Sequence, residues 1–166
     1  MRNELTALFV QNASRSGAQC IVVDSTVQLQ AEVEGLLDGQ DAVFCPGHTP
    51  LEQSIVIPAS RKAADVLSSS TTVEEVPYGV AQTGTIVCTG ATRSQLLTSL
   101  LPEHHIPLLR ASGIHETFLD LVKTFKELPR NITFITGPSR TADIEKTLVL
   151  GMHGPRRVTI LVFLDA

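Results

Sequence analysis

The run Thr136-Gly137-Pro138-Ser139-Arg140-Thr141 sets an arginine among a glycine and hydroxylated residues. Glycine lets a backbone come close to a ligand, and a guanidinium fork suits a carboxylate or a phosphate. Between a strand and a helix start, such a loop would also offer unpaired backbone N–H groups to an anion. Gly137, Pro138, Ser139, Arg140 and Thr141 are therefore candidates for anion binding. A plain strand-to-helix turn, with Ser or Thr as its N-cap, explains the same residues equally well. No Gly-Lys-Ser/Thr follows, so the run is not a nucleoside-triphosphate loop of the Walker type.

Asp143 and Glu145 come next. At a helix start they would complement its dipole, and one of them could instead turn a carboxylate into a cleft as acid or base. Two residues apart, they do not share a helix face. His153, in Gly151-Met152-His153-Gly154-Pro155, is a candidate proton carrier near neutral pH, with Gly154 beside it as a close-approach position. A lone loop histidine more commonly sits in solvent or caps a turn. In Gly79-Val80-Ala81-Gln82-Thr83-Gly84 the glycines are too far apart for a dinucleotide fingerprint. This segment reads as a bent strand or hairpin whose polar edge, Gln82-Thr83-Gly84, could line a pocket.

Other chemistries lack a pattern. His104 and His105 are adjacent and fall on opposite faces of a strand, while His48 and His115 have no partner at metal-ligand spacing. The spacing therefore predicts no metal site. Cys20, Cys45 and Cys88 are odd in number and far apart, which gives no disulfide framework, zinc motif or iron–sulfur motif. Cys45 and Cys88 sit in apolar runs and read as core. No Gly-x-Ser-x-Gly elbow marks a nucleophile.

The elements that would position these residues follow from periodicity. Leu5, Leu8, Phe9 and Ala13 have helical spacing, and Gly17 is placed to end that helix. Strands are expected at Cys20–Val23, Ala42–Cys45, Val73–Val76, Thr85–Cys88, His105–Leu109, Ile132–Thr136 and Val158–Leu164, with a further one at Ser54–Ile57. Ser25 with Gln28, and Thr92 with Gln95, have capping-box spacing. A short helix is expected at Arg61–Leu67, and Ser112 is expected to cap a helix carrying Ile114, Phe118, Leu121, Val122 and Phe125. A short helix start should follow the Gly137-Pro138 turn.

Short apolar strands alternating with amphipathic helices imply an α/β fold: a doubly wound, mostly parallel sheet with helices on both faces, in one domain over residues 1–166. Ligands of such sheets bind beyond the carboxyl ends of the strands, so the loops after Val76, Cys88 and Thr136 are the places to look. The chain has 13 basic and 17 acidic residues, a net charge of −4, and six Phe, one Tyr and no Trp. That composition disfavours phosphate tracking with base stacking, so nucleic acid is not an expected partner. No secretory signal or membrane span is apparent, and the cysteine usage suits a cytoplasmic location.

Four segments, in order, resemble one family. Gly79–Gly84 with Thr85-Ile86-Val87 resembles a Gly-Val-Ala-Glu-Thr-Gly-Thr-Ile block, and Leu101-Pro102-Glu103-His104-His105-Ile106 resembles its Leu-Pro-x-His-His segment. Ile135–Glu145 is similar to the most distinctive stretch, and Gly151–Pro155 to Gly-x-His-Gly-Pro. Together they resemble the lactate utilization protein C family, or LUD domain, from about Leu5 to the C-terminus. Gln82 departs from the pattern, standing where the family usually has glutamate. An ionising role for that glutamate would be impaired here, whereas a hydrogen-bonding role would survive.

The resemblance implies a fold like that of the sugar-phosphate isomerase and CoA-transferase superfamily. It also implies a non-redox role in bacterial oxidation of L-lactate to pyruvate beside iron–sulfur partner proteins, which would carry the clusters; no cofactor is expected in this chain. A small carboxylate or phosphate would bind at Gly137–Thr141, with Gln82, Thr83, Gly84 and His153 in the same cleft. The alternative is a stand-alone isomerase, transferase or hydrolase acting on a phosphorylated or CoA-linked substrate, with Asp143, Glu145 or His153 moving protons. A third possibility is an interaction module whose loops serve only the fold.

Overall fold

A computed structural model describes residues 2–40, 42–45, 69–90, 97–142, 148–150 and 154–165, with side chains omitted at 2, 140–142 and 148–150. The strand expected at Ser54–Ile57, the helix at Arg61–Leu67 and the Thr92–Gln95 capping box lie outside the described residues.

The chain opens with α1 (Arg2–Arg15), β1 (Gln19–Val23), α2 (Thr26–Leu37) and β2 (Val43–Cys45). Gly17, at φ +94°, ends the turn after α1, and Ala18 N–H closes back onto Ala13 O. Ser25 caps α2 by accepting from Gln28 N–H, while the Gln28 side chain accepts from Asp24 N–H, so the capping pair engages both ways. Leu29, Val33 and Leu37 are the buried stripe of α2. Each contributes about 1.5–3 kcal/mol by leaving water.

After β3 (Thr71–Val76) come β4 (Tyr78–Val80), β5 (Thr85–Thr89) and β6 (His104–Arg110). A 3₁₀ turn at Ala111–Gly113 leads to β7 (Ile114–His115), α3 (Phe118–Thr124), β8 (Ile132–Ile135), β9 (Arg140–Ala142), β10 (Leu148–Leu150) and β11 (Arg157–Phe163).

Five strands form a parallel sheet in the order β1-β11-β6-β3-β2. Its alternating side chains feed two cores. Val73, Ile106, Leu108 and Leu161 pack with the α2 stripe on one face. Val76, Leu109, Val158, Ile160 and Val162 pack with Phe9 and Ala13 of α1 on the other. The doubly wound α/β expectation is met.

The strands expected to continue one sheet in fact divide between two. β7-β4-β5-β8 form a separate four-stranded sheet in which β4–β5 and β5–β8 are antiparallel. It grows directly from the parallel sheet. β3 passes through Pro77 into β4, β6 passes through the 3₁₀ turn into β7, and the β3–β6 parallel pairing continues as β4–β7. Ile86 and Cys88 of β5 face inward to the α1 core, whereas Val80 and Val87 face outward, under Leu121 of α3.

Two local expectations differ. Ser112 does not cap the helix; its N–H and hydroxyl both donate to the Asp165 carboxylate. Thr117 is the N-cap instead, accepting from Asp120 N–H, and the helix is limited to Phe118–Thr124 because Ile114 and His115 pair with β4. Beyond the Gly137-Pro138 turn, Arg140–Ala142 is not a helix start but a strand, paired antiparallel with Leu148–Leu150.

Gly84 has φ +66°, and a Cβ there would stand 2.0 Å from Ala13 N. Gly39 has φ +73° with nothing within 4 Å. Gly39→Ala should therefore cost only the left-handed penalty, about 1–2 kcal/mol. Gly84→Ala should cost clearly more, because the α1 backbone must also move. Urea unfolding of both variants measures the difference, and equal losses would mean that the approach to α1 is loose.

Candidate functional site

The segment Ala81–Gly84 is the tight turn between β4 and β5, and five hydrogen bonds fix it. Ala81 N–H and Gln82 N–H donate to His115 O and Glu116 O, Gly84 N–H donates to Val80 O, and the Asn12 side-chain amide of α1 donates to Ala81 O (2.9 Å) and Gln82 O (3.1 Å). Gly84 is buried against α1, which leaves Gln82 and Thr83 exposed at the tip.

The end of β8 lies beside this turn. Thr83 Oγ1 and Thr85 Oγ1 are 2.7 Å apart, and Thr85 Oγ1 and Thr136 Oγ1 are also 2.7 Å apart. A chain of three hydroxyls thus joins the Gln82 turn to the start of the Gly137 loop. Gly137, at φ +74°, rests on the turn that ends α1, where a Cβ would stand 2.2 Å from Ser16 O. Ser139 N–H donates to Pro155 O at 2.8 Å, and a Cβ on Gly154 would lie 3.1 Å from Ser139 Cβ.

The fold therefore gathers three segments read from sequence as separate candidates: Gln82-Thr83-Gly84, Gly137-Pro138-Ser139 and Gly154. For Arg140 and Thr141 only the backbone is described, and it continues from the same loop. Asp143, Glu145 and His153 lie outside the described residues. Because Arg140–Ala142 is a strand, the helix N-terminus that was to offer N–H groups to an anion is not there. Glycine, hydroxyl and arginine chemistry remain as the basis for an anion site.

A cavity of about 300 Å³ opens at this place, lined by Val80, Gln82, Thr83, Thr85, Phe118, Phe134 and Thr136. Phe118 and Phe134 form its wall, with ring centroids 5.2 Å apart in an edge-to-face pair, each about half exposed (50% and 48%). One end of the cleft offers hydroxyls and an amide, the other an aromatic edge. It sits on the outer face of the second sheet, one layer beyond the carboxyl ends of the parallel strands. Spacing did not reveal the phenylalanines. The Phe134/Thr136 alternation, with Ile135 buried between them, was the available signal.

The comparisons with known proteins meet this geometry. The LUD domain family matches residues 65–163, more than half of the chain and all of the cavity-lining segments. The chain belongs to the LUD domain family. An uncharacterized protein of Neisseria meningitidis is 38% identical over 90 residues, covering 52% of this chain and 39% of that protein. Lactate utilization protein C of Anoxybacillus flavithermus is 36% identical over 88 residues, covering 52% and 40%. These matches span about two fifths of the length of the curated relatives. A crystal structure of a DUF162 family protein from Deinococcus radiodurans has the same fold, with a TM-score of 0.68 over 98% of both chains at 20% identity. Among the described residues of this LUD domain, no helix is long and apolar enough to cross a membrane.

A second cavity, of about 350 Å³, lies at the amino ends of the parallel strands, lined in part by Gln19, Thr71, His104, Arg157 and Thr159. His104 is buried, and its Nε2 is 2.9 Å from Thr159 Oγ1. Burial first, then the charges of Arg157 and His105, lower its pKa from 6.5 to about 4. The unfolded chain therefore binds a proton at His104 between those values while the LUD domain does not. This histidine's contribution to stability is complete above pH 6.5 and lost as pH falls towards 4. His104→Gln should flatten that part of the stability profile, as read from urea midpoints between pH 4 and 7. Parallel wild-type and variant profiles would place the titration elsewhere.

In the cleft, Thr85→Val keeps shape but breaks the hydroxyl chain. Thr85 is 7% exposed, so its partners lose a largely dry contact, and a cost of about 1 kcal/mol is expected in urea unfolding. No change would mean that the three hydroxyls are solvated independently.

Proposed function

We propose that this LUD domain is a non-redox component of an L-lactate utilization system. In this reading it acts with iron–sulfur partner proteins and binds a small carboxylate in the Gln82–Thr136 cleft. The observation that carries the reading is the hydroxyl chain Thr83–Thr85–Thr136, which draws the Gln82 turn and the Gly137 loop to one cavity. The name of the Anoxybacillus relative supplies the pathway.

A 2-hydroxy or 2-oxo acid suits such a place chemically. Its carboxylate would meet Arg140 and the Gly137–Thr141 backbone, its hydroxyl or keto oxygen the threonine hydroxyls and the Gln82 amide, and its short alkyl end the Phe118–Phe134 wall. Gln82 supplies hydrogen bonds without charge, so in this chain it orients a ligand rather than taking a proton. Asp143, Glu145 and His153 remain the candidates for proton movement, and the iron–sulfur partners would accept the electrons.

Thermal unfolding of the purified chain with L-lactate, pyruvate, sugar phosphates and CoA esters tests this reading. L-lactate or pyruvate at 100 times its dissociation constant should stabilise the fold by about 2.7 kcal/mol, raising Tm. The rise should vanish in Arg140→Ala. A rise with phosphates or CoA esters alone would instead identify a stand-alone transferase- or isomerase-type enzyme. A rise unchanged in Arg140→Ala would remove the arginine from the site.

A further inference from the structure

Away from the cleft, strands of both sheets bring a carboxylate, an imidazole and a thiol to one buried point. Glu74 of β3, Cys88 of β5 and His105 of β6 each present a ligand atom, and these atoms all lie within 4.8 Å of one another. The three residues are 4%, 4% and 0% exposed. His105 Nε2 is 2.8 Å from Glu74 Oε2, the Cys88 thiol hydrogen-bonds the Glu74 carboxylate, and the Ser99 hydroxyl bonds the sulfur. Cys45 of β2 is the register partner of Glu74 in the parallel sheet, and it is near enough to Cys88 to act on that thiol electrostatically.

A carboxylate taken this far out of water needs a compensating charge. A divalent cation would supply that charge, and His105 Nδ1 has no hydrogen-bond partner among the described residues. We propose that Glu74, Cys88 and His105 bind a single divalent transition-metal ion, zinc by its ligand chemistry.

Zinc takes carboxylate oxygen, imidazole nitrogen and thiolate sulfur in one tetrahedron. Bonds of about 2.0–2.3 Å set such donors roughly 3.3–3.8 Å apart. The three atoms are already gathered to within about an ångström of that spacing. On binding, Cys88 gives up its proton to solvent and forms the metal–sulfur bond. The ion's two positive charges are then balanced by one carboxylate and one thiolate, leaving a neutral buried centre. Burial and the Glu74 carboxylate raise the Cys88 pKa well above 9.0, and a coordinated cation reverses that preference. The mixed nitrogen and sulfur set disfavours magnesium and calcium, and a cubane cluster would need four thiolates. Such an ion would tie β3 and β6 of the parallel sheet to β5 of the second sheet. This site is independent of the proposed lactate role.

The test is cobalt substitution in the whole chain after chelator treatment. Co²⁺ should bind saturably at about one equivalent, giving intense tetrahedral visible bands and a near-ultraviolet thiolate-to-cobalt charge-transfer band. Zn²⁺ should displace it and raise Tm. Cys88→Ser should lose the charge-transfer band with its far-ultraviolet circular dichroism unchanged, and Cys20→Ser should keep the band. If Cys88→Ser does not fold, Glu74→Gln carries the comparison, with affinity for Co²⁺ expected to fall at least about tenfold. A wild-type chain that gives no saturable cobalt spectrum overturns the proposal. So does a charge-transfer band that survives in Cys88→Ser, or an unchanged affinity in Glu74→Gln.

Discussion

The second sheet meets α1 backbone to backbone, and the position of the cleft depends on that approach. Gly84 and Gly137 both adopt left-handed conformations, and each sits where a single added carbon would strike main chain, at Ala13 of α1 and at Ser16 in the turn that ends it. Asn12 completes the contact by donating its amide to two carbonyls of the β4–β5 turn. Contacts of this kind leave no room for side-chain adjustment, so the helix acts as a gauge for both loops. The hydroxyls of Thr83, Thr85 and Thr136 can meet at hydrogen-bond distance because the two loops share that reference.

Elements governed by local forces were legible in the sequence. The Ser25–Gln28 pair marks its helix start because both halves of the cap lie within four residues of each other. The apolar runs at β6 and β11 are strands because a buried parallel strand needs apolar residues on both faces. Where distant partners decide, the local signal misleads. Ser112 has the spacing of a cap, but Asp165, far along the chain, takes its N–H and hydroxyl. Ile114 falls on the helical stripe, yet β4 claims it as a strand partner. Arg140–Ala142 carries helix-start chemistry and pairs as a strand with Leu148–Leu150. The division into two sheets is likewise a matter of pairing, which a single strand's composition does not encode.

The candidate site shows the same split. Glycines and hydroxylated residues of the two loops stand out by type, and the fold does bring them together. Phe118 and Phe134 look like ordinary core positions until the sheet's outer face is seen to be half open there. The buried Glu74, Cys88 and His105 lie on three strands, so no spacing rule could join them. The sequence reading was right that His104 and His105 face opposite ways. One turns to Thr159 at the amino-end cavity and the other to Glu74 in the layer between the sheets.

The LUD domain match covers residues 65–163, whereas α1 comprises Arg2–Arg15. The recognisable motifs and the helix surface that holds them in place thus belong to different stretches of the chain. The loops can stay fixed in sequence while substitutions along one helix shift their spacing by fractions of an ångström. A change at Asn12 or Ala13 would therefore move the cleft hydroxyls without touching any residue of the matched region.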